Sequence, residues 1–207
     1  MPAGTGGSVL IVGAGPAGLE AAHVLGKRGY QVALADAAKQ ASGRVLRESR
    51  LPGLAQWARV RDYRLGQINR MPNVALYLDS RMQESDVRAF GADHVLIATG
   101  PRWRRDDIGR WHPQPIATLN PSGVYTPDDV LSGRLAAGEV VIFDVDHYYL
   151  GPVIAIKLAG EGVRVRLWTT LLFGGGKSRH DKKKSFVLKA KRQQSVKATV
   201  VNFSCLE

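Results

Sequence analysis

The chain has almost no cysteine: Cys205 is the one thiol in 207 residues. A disulfide framework, a Cys-x-x-Cys redox pair, a four-thiolate zinc site and an iron–sulfur cluster ligated by this chain alone are therefore excluded. Long hydrophobic runs are missing too, and nothing approaches the roughly 18 consecutive apolar residues that cross a bilayer. The short apolar run Val9 to Val12 has no basic flank before it and passes straight into glycines, so it does not read as a signal-peptide core. With one thiol and no leader segment, the expectation is a cytoplasmic chain without membrane contact. Acidic residues are also short, 18 against 29 Lys and Arg, for a net charge of +11. That excess is local. Residues 171–207 carry nine basic and two acidic residues, which leaves 20 and 16 for residues 1–170. The body is nearly neutral, and most of the charge is a tail.

What is present is a globular composition, 44% hydrophobic and 23% charged. Ser8 to Val12 is apolar and β-branched, the pattern of a strand buried on both faces of a parallel sheet. It leads into Gly13-Ala14-Gly15-Pro16-Ala17-Gly18, and Leu19 to Gly29 follows with helical spacing and a glycine stop. Tyr30 to Ala35 then reads as a second strand ending at Asp36. Each piece has a physical reason. Gly13 allows a tight turn, Gly15 lets backbone approach a pyrophosphate, and Gly18 lets the helix pack on the sheet. The helix start supplies amide donors and a positive dipole end. Asp36, 18 residues after Gly18, can accept from ribose hydroxyls and would repel a 2′-phosphate. His23 reads as a surface helix residue.

Further stretches narrow the reading: Ser42-Gly43-Arg44, Leu51-Pro52-Gly53-Leu54, Arg61-Asp62-Tyr63-Arg64, the segment Gly91 to Gly100 ending in Ala98-Thr99-Gly100, and Val140 to Phe143. On these motifs residues 8–170 resemble the C-terminal nucleotide-binding region of the flavin and iron–sulfur dehydrogenases. That family includes trimethylamine dehydrogenase, dimethylamine dehydrogenase and bacterial 2,4-dienoyl-CoA reductase. The resemblance implies an α/β fold: a Rossmann-like doubly wound parallel sheet of three-layer FAD/NAD(P)-binding architecture, its second βαβ unit truncated. It implies domains at 1–120 (FAD or ADP binding) and 121–170 (the start of a degenerate second nucleotide-binding domain), with a basic, disordered and unrelated tail at 171–207. It further implies FAD, or ADP in its place, with Gly13, Gly15, Pro16, Ala17 and Gly18 at the pyrophosphate and Asp36 at the ribose. Ser42, Gly43 and Arg44 would continue along the cofactor, with Met82 near the adenine and Ala98, Thr99 and Gly100 at the sheet edge. Gly43 permits close backbone approach and Arg44 can pair with a phosphate. Met82 reads equally well as a core methionine. Thr99-Gly100 would end a buried strand, Val95 to Ala98.

The second motif is altered. Val140 to Phe143 reads as a strand, Tyr149 to Ala159 as a helix and Val163 to Trp168 as the next strand. Asp144, Asp146 and Tyr149 stand where three glycines belong. Two carboxylates repel a pyrophosphate and Tyr149 would hinder helix packing, so no NAD(P)H site is expected there. In the resembled family the chemistry belongs to a barrel carrying FMN and an iron–sulfur cluster. Neither group is expected on this chain, and the barrel is a candidate partner domain or subunit. No catalytic residue and no metal ligand can be named. The expected role is a cofactor-binding module of an amine-dehydrogenase-like flavoprotein oxidoreductase, inactive by itself. The alternatives are a non-catalytic adenine-nucleotide or docking module, and a nucleic-acid binder acting through the tail.

That tail fits the family nowhere, and its abrupt change of composition is what a frame change or fusion leaves. Gly174-Gly175-Gly176-Lys177-Ser178 fails as a P-loop because residue 171 is Leu where a glycine is required. The lysine cluster reads as solvated chain rather than a nucleic-acid surface. Thr126-Pro127-Asp128-Asp129 is a helix start with an N-cap, proline at the first position and early acids. Pro101 to Arg105 reads as a connecting loop.

Overall fold

In a computed structural model the chain is described over residues 6–106, 108, 114, 123–135, 138–144, 148–169, 184–188 and 198–202, the last two segments and Thr169 by backbone alone. The residues fall into two compact units, the first spanning Met1–Arg50 and Leu54–Gly100, the second Leu51–Gly53 and Pro101–Glu207.

In the first unit, β1 (Ser8–Val12), α1 (Pro16–Lys27) and β2 (Gln31–Ala35) follow the expected order. They are succeeded by the short α2 (Val45–Glu48), α3 (Ala58–Ile68), β3 (Val74–Tyr77), α4 (Glu84–Phe90) and β4 (His94–Ile97). The sheet order is β3-β2-β1-β4, with every pair parallel. Strands are added to one side of β1 as far as β3 and to its other side at β4, so the strand order switches between β1 and β4, and the carboxyl ends there form the crevice in which open α/β sheets bind ligands.

One buried cluster lies on one face of this sheet, while Leu10 and Ala33 are buried on the other. Val9 and Ile11 of β1 and Val32 and Leu34 of β2 pack with Leu19 and Ala22 of α1 and with Ile68 of α3. Alternation along the strands puts these side chains on one side, and each buried Leu or Ile contributes about 1.5–3 kcal/mol. Helix α1 ends as its sequence predicts, with Gly29 at φ +88 beyond the Arg28 cap. At the opposite strand ends the Ser8 amide and hydroxyl donate to Asp93 Oδ2 at 2.7 and 2.8 Å, and the Asp93 amide returns a bond to Ser8 Oγ. These bonds fasten β1 to the start of β4 and hold the Asp93 carboxyl below the usual carboxylate range.

Two expectations are corrected here. His23 is not a surface residue. It is 6% exposed, meets the Tyr63 ring of α3 edge-on at 5.9 Å, and neither ring nitrogen has a hydrogen-bond partner. Its place beside Ala22 on the inner stripe of α1 puts it against α3. Because an unsatisfied buried polar group is costly, His23→Leu is expected to raise the unfolding free energy by about 1 kcal/mol, read from urea melts. Nor is the strand over Val95–Ile97 buried. Those three residues are 40–67% exposed: they alternate between the two faces of β4, an edge strand with a neighbour on one side only among the described residues, and neither face is covered. Its apolar run reads as interior, but the pattern does not say whether its faces are covered.

The second unit holds β5 (Val124–Tyr125), α5 (Pro127–Leu131), β6 (Glu139–Asp144), α6 (Leu150–Gly160) and β7 (Val165–Thr169). Strands β8 (Lys184–Leu188) and β9 (Ala198–Asn202) complete a sheet of order β5-β9-β6-β7-β8. The expected second βαβ unit is present as β6-α6-β7 in parallel register, Val140 opposite Val165. Strands β8 and β9 fall inside 171–207, for which disorder was expected. The first pairs antiparallel with β7 and the second lies parallel between β5 and β6. The Gly174–Ser178 segment and Lys182 and Lys183 lie outside the described residues.

Helix α5 starts as read: Thr126 is the N-cap and shares a reciprocal capping box with Asp129. The Arg105 guanidinium reaches both Asp129 oxygens at 2.7 and 2.6 Å, and Arg134 adds a contact at 2.9 Å. The loop after Pro101 is thus tied to α5, in keeping with a connecting role.

Candidate nucleotide site

The site is built where β1 turns into α1. Gly13 has φ +109, and a Cβ there would stand 2.4 Å from the Ala98 carbonyl oxygen. A Cβ on Gly18 would stand 1.8 Å from the Gly13 carbonyl oxygen. These two glycines are required by the protein itself. Gly15 is different: its Cβ position meets nothing within 4 Å, so the space above it is open. Gly15 also caps α1, Pro16 occupies the first position, and no side chain caps the helix. The first amides of a helix lack intrahelical partners, and here no acid stands in the first turn. The arrangement fits an anion supplied from outside, at the positive end of a 12-residue helix.

Neighbouring segments converge on this turn. The Ala98 amide donates to Val12 O at 2.7 Å and a Cβ on Gly13 would meet Ala98 and the Thr99 amide, which sets these two beside Gly13, with Gly100 next in the chain at φ +76. The Ser42 amide donates to Ala14 O at 2.7 Å, and a Cβ on Gly43 would lie 3.4 Å from Gly15 Cα. Ser42 itself is fully buried at φ +121, its hydroxyl oxygen without a partner. A serine held in glycine's region stores strain, so Ser42→Gly is expected to stabilise the chain by about 1 kcal/mol in urea melts. Arg44 follows at the head of α2, 3.9 Å from the buried Glu48 carboxylate.

Asp36 sits at the end of β2, half-buried. Its Oδ2 accepts from the Ala14 amide at 2.6 Å and its Oδ1 from the Ala38 amide at 2.7 Å. Its own amide donates to Tyr77 O, and its carbonyl accepts from Ser80. That link brings the stretch after β3, with Met82 two residues on and half-buried, to the acid's side of the crevice. The structure thus gathers Gly13, Gly15, Pro16, Ala17, Gly18, Asp36, Ser42, Gly43, Ala98 and Thr99 at one strand edge. The side chain of Arg44 is engaged by Glu48, and Met82 is placed only through its neighbours. What the sequence did not reveal is the Asp36 bond to Ala14. The residue type and spacing show an acid, not which amide it meets.

Among the described residues of the second unit, the space between the end of β6 and α6 is filled by a side chain. Asp144 is buried, and a Cβ on Gly151 would lie 2.8 Å from its carboxyl group. Close packing of α6 is therefore supplied by Gly151, and Tyr149, expected to hinder it, stands outside the helix as its cap. The signal was present in the sequence as a glycine two positions beyond the fingerprint spacing. Asp146 and His147 lie outside the described residues. Among the described residues no group of His, Cys, Asp and Glu could hold a metal, and no helix is long and apolar enough to cross a membrane.

A family model for pyridine nucleotide-disulphide oxidoreductases matches residues 7–110, the span that contains the whole Gly13–Gly100 crevice. The chain belongs to this family. Dimethylamine dehydrogenase of Hyphomicrobium sp. (strain x) is 38% identical over 174 residues, covering 80% of this chain and 24% of that protein. Among solved structures, 6-hydroxypseudooxynicotine amine oxidase (HisD) from Pseudomonas geniculata N1 superposes with a TM-score of 0.79 at 50% identity, covering 82% of this chain and 26% of that one. Histamine dehydrogenase from Rhizobium sp. 4-9 superposes with a TM-score of 0.78 at 48% identity, covering 82% and 27%. The chain thus spans about a quarter of the length of these relatives. A flavin or nucleotide cofactor and the Rossmann-like parallel sheet follow from membership of the pyridine nucleotide-disulphide oxidoreductase family.

Proposed function

We propose that the chain is the FAD- or ADP-binding module of an amine-dehydrogenase-like flavoprotein oxidoreductase. The observation that carries this reading is the open space over Gly15 at an α1 terminus that no side chain caps. An adenine dinucleotide would seat its pyrophosphate on Gly15, Ala17 and Gly18, with Gly13 and Pro16 shaping the turn. Asp36 would accept from the ribose hydroxyls. Ser42, Gly43 and Arg44 would line the path beyond the phosphates, Ala98, Thr99 and Gly100 the wall beside Gly13, and Met82 the adenine end. When bound, FAD supplies the redox chemistry; this chain's residues bind and orient it.

The whole protein's turnover would need a further barrel domain or subunit carrying FMN, in keeping with relatives more than three times as long. The working compartment is the cytoplasm. The visible spectrum of the purified chain tests the cofactor. Flavin bands near one per chain identify FAD. A colourless protein that releases ADP on denaturation identifies the nucleotide form. A colourless protein that releases no adenine nucleotide and binds neither on titration refutes the reading.

A further inference from the structure

Asp36 is an acid placed beside an anion site, and that placement needs a reason. A carboxylate next to a bound pyrophosphate repels it, yet Asp36 Oδ2 lies 2.6 Å from the Ala14 amide inside the phosphate loop. We propose that Asp36 is a positioning residue that presets the phosphate loop, in addition to any contact with the ribose. The inference rests on the proposed pyrophosphate site and assigns the loop's shape to one side chain.

The hydrogen bonds around Ala14 carry the argument. Its N–H is held by Asp36 and its C=O by the Ser42 amide at 2.7 Å, while the Gly13 amide donates to Ala35 O at 2.7 Å. Three successive peptide planes, Val12–Gly13, Gly13–Ala14 and Ala14–Gly15, are thereby fixed. In a planar trans peptide the C=O and N–H point in opposite directions, so fastening Ala14 O to Ser42 turns the Gly15 amide away from Ser42. Asp36 is itself braced, by the Ala38 amide on Oδ1 and by main-chain bonds to Tyr77 and Ser80. Each carboxylate oxygen accepts two hydrogen bonds, so acceptor positions remain for ribose hydroxyls. The loop's own residues, Gly, Ala and Pro, carry no polar side chain with which to brace it. An acid that holds the Ala14 amide therefore restricts a segment that glycine would otherwise leave free. Binding then costs less ordering, and this gain offsets the repulsion.

The test uses the 207-residue chain with Asp36→Ala and Asp36→Asn. Affinities for inorganic pyrophosphate and for ADP are measured by calorimetry, and exchange of the Ala14 amide by NMR. D36A is expected to weaken pyrophosphate binding about tenfold although it removes a negative charge. It is also expected to speed Ala14 exchange by about tenfold. D36N keeps a carbonyl acceptor and is expected to restore most of the pyrophosphate affinity. If D36A does not fold, Asp36→Ser, too short to reach Ala14, replaces it with the same expectations. Pyrophosphate affinity unchanged or raised in D36A, with ADP alone weakened, overturns the proposal and leaves Asp36 a ribose contact. If the wild-type chain binds neither probe, the pyrophosphate reading fails, and the Ala14 exchange rate decides the positioning role: an unchanged rate overturns it.

Discussion

Gly15→Ala leaves the chain's stability within about 1 kcal/mol of wild type and weakens ADP binding by about two orders of magnitude. Gly18→Ala does the reverse in order of cause: it destabilises the first unit by about 3 kcal/mol, and binding falls with the fold. The contrast follows from where each added methyl would stand. On Gly15 it enters open space, at a backbone conformation (φ −70, ψ −178) that alanine adopts freely. The fold has no use for that space, so only a ligand can object to filling it. On Gly18 the methyl would stand 1.8 Å from the Gly13 carbonyl oxygen, a contact that neither backbone can relieve without separating α1 from β1. Gly13→Ala belongs with Gly18, with the added strain of φ +109. Urea melts and ADP calorimetry on the three variants check this. Wild-type ADP affinity in Gly15→Ala would mean that no ligand approaches the loop there.

Asp129→Ala is expected to cost the second unit about 2 kcal/mol, the scale for losing hydrogen bonds to a buried charged group, because the Arg105 and Arg134 side chains are 56% and 71% exposed and their ion pairs add little. The Asp129 side chain is 4% exposed and accepts from the Thr126 amide and hydroxyl, each at 2.8 Å, while meeting Arg105 and Arg134. Burial alone pushes its carboxyl up. The Thr126 amide and hydroxyl outweigh that, aided by Arg105, and hold it below the usual carboxylate range. A carboxyl depressed in the folded state stabilises the fold fully above its unfolded pKa of about 3.9 and loses that contribution as pH falls through the folded value. The wild-type second unit should therefore weaken below about pH 4, and the gap between wild type and Asp129→Ala should close there. Amide exchange in β6 and α6 at pH 7 and in acid reads this unit directly. A gap that stays constant with pH would show that the ionised carboxylate is not what holds α5.

The parts of the fold that the sequence made legible are those with local causes. Between Ser8 and Gly29 the legible residues answer short-range demands: β-branching for the strand, glycine for φ +109 at residue 13, proline at the first helical position, glycine again at 29. The Thr126 N-cap with its first-position proline is legible for the same reason. What was not legible depends on distant partners. The run Val95-Leu96-Ile97 reads the same whether or not its faces are covered, so its exposure was hidden. His23 shares a helix face with Ala22, but only α3, arriving some 40 residues later with Tyr63, decides that it is covered. Strand β8 lies in a segment whose lysines suggested solvation, while its place beside β7 depends on antiparallel pairing with Val165–Thr169. In the second unit the fingerprint spacing misdirected attention to Tyr149, and Gly151 does the packing two residues further on. At the site itself, residue types were legible and hydrogen bonds were not, as the Asp36 link to Ala14 shows.

Titrating ADP into the isotope-labelled chain while following backbone amide shifts tests the central claim most directly. Saturable shifts are expected at Gly13, Ala14, Gly15, Ala17 and Gly18, with smaller ones at Asp36, Ser42, Gly43 and Thr99, and these should vanish in Gly15→Ala. Shifts confined to residues 171–207, or none at all, would contradict a nucleotide site at the β1–α1 turn.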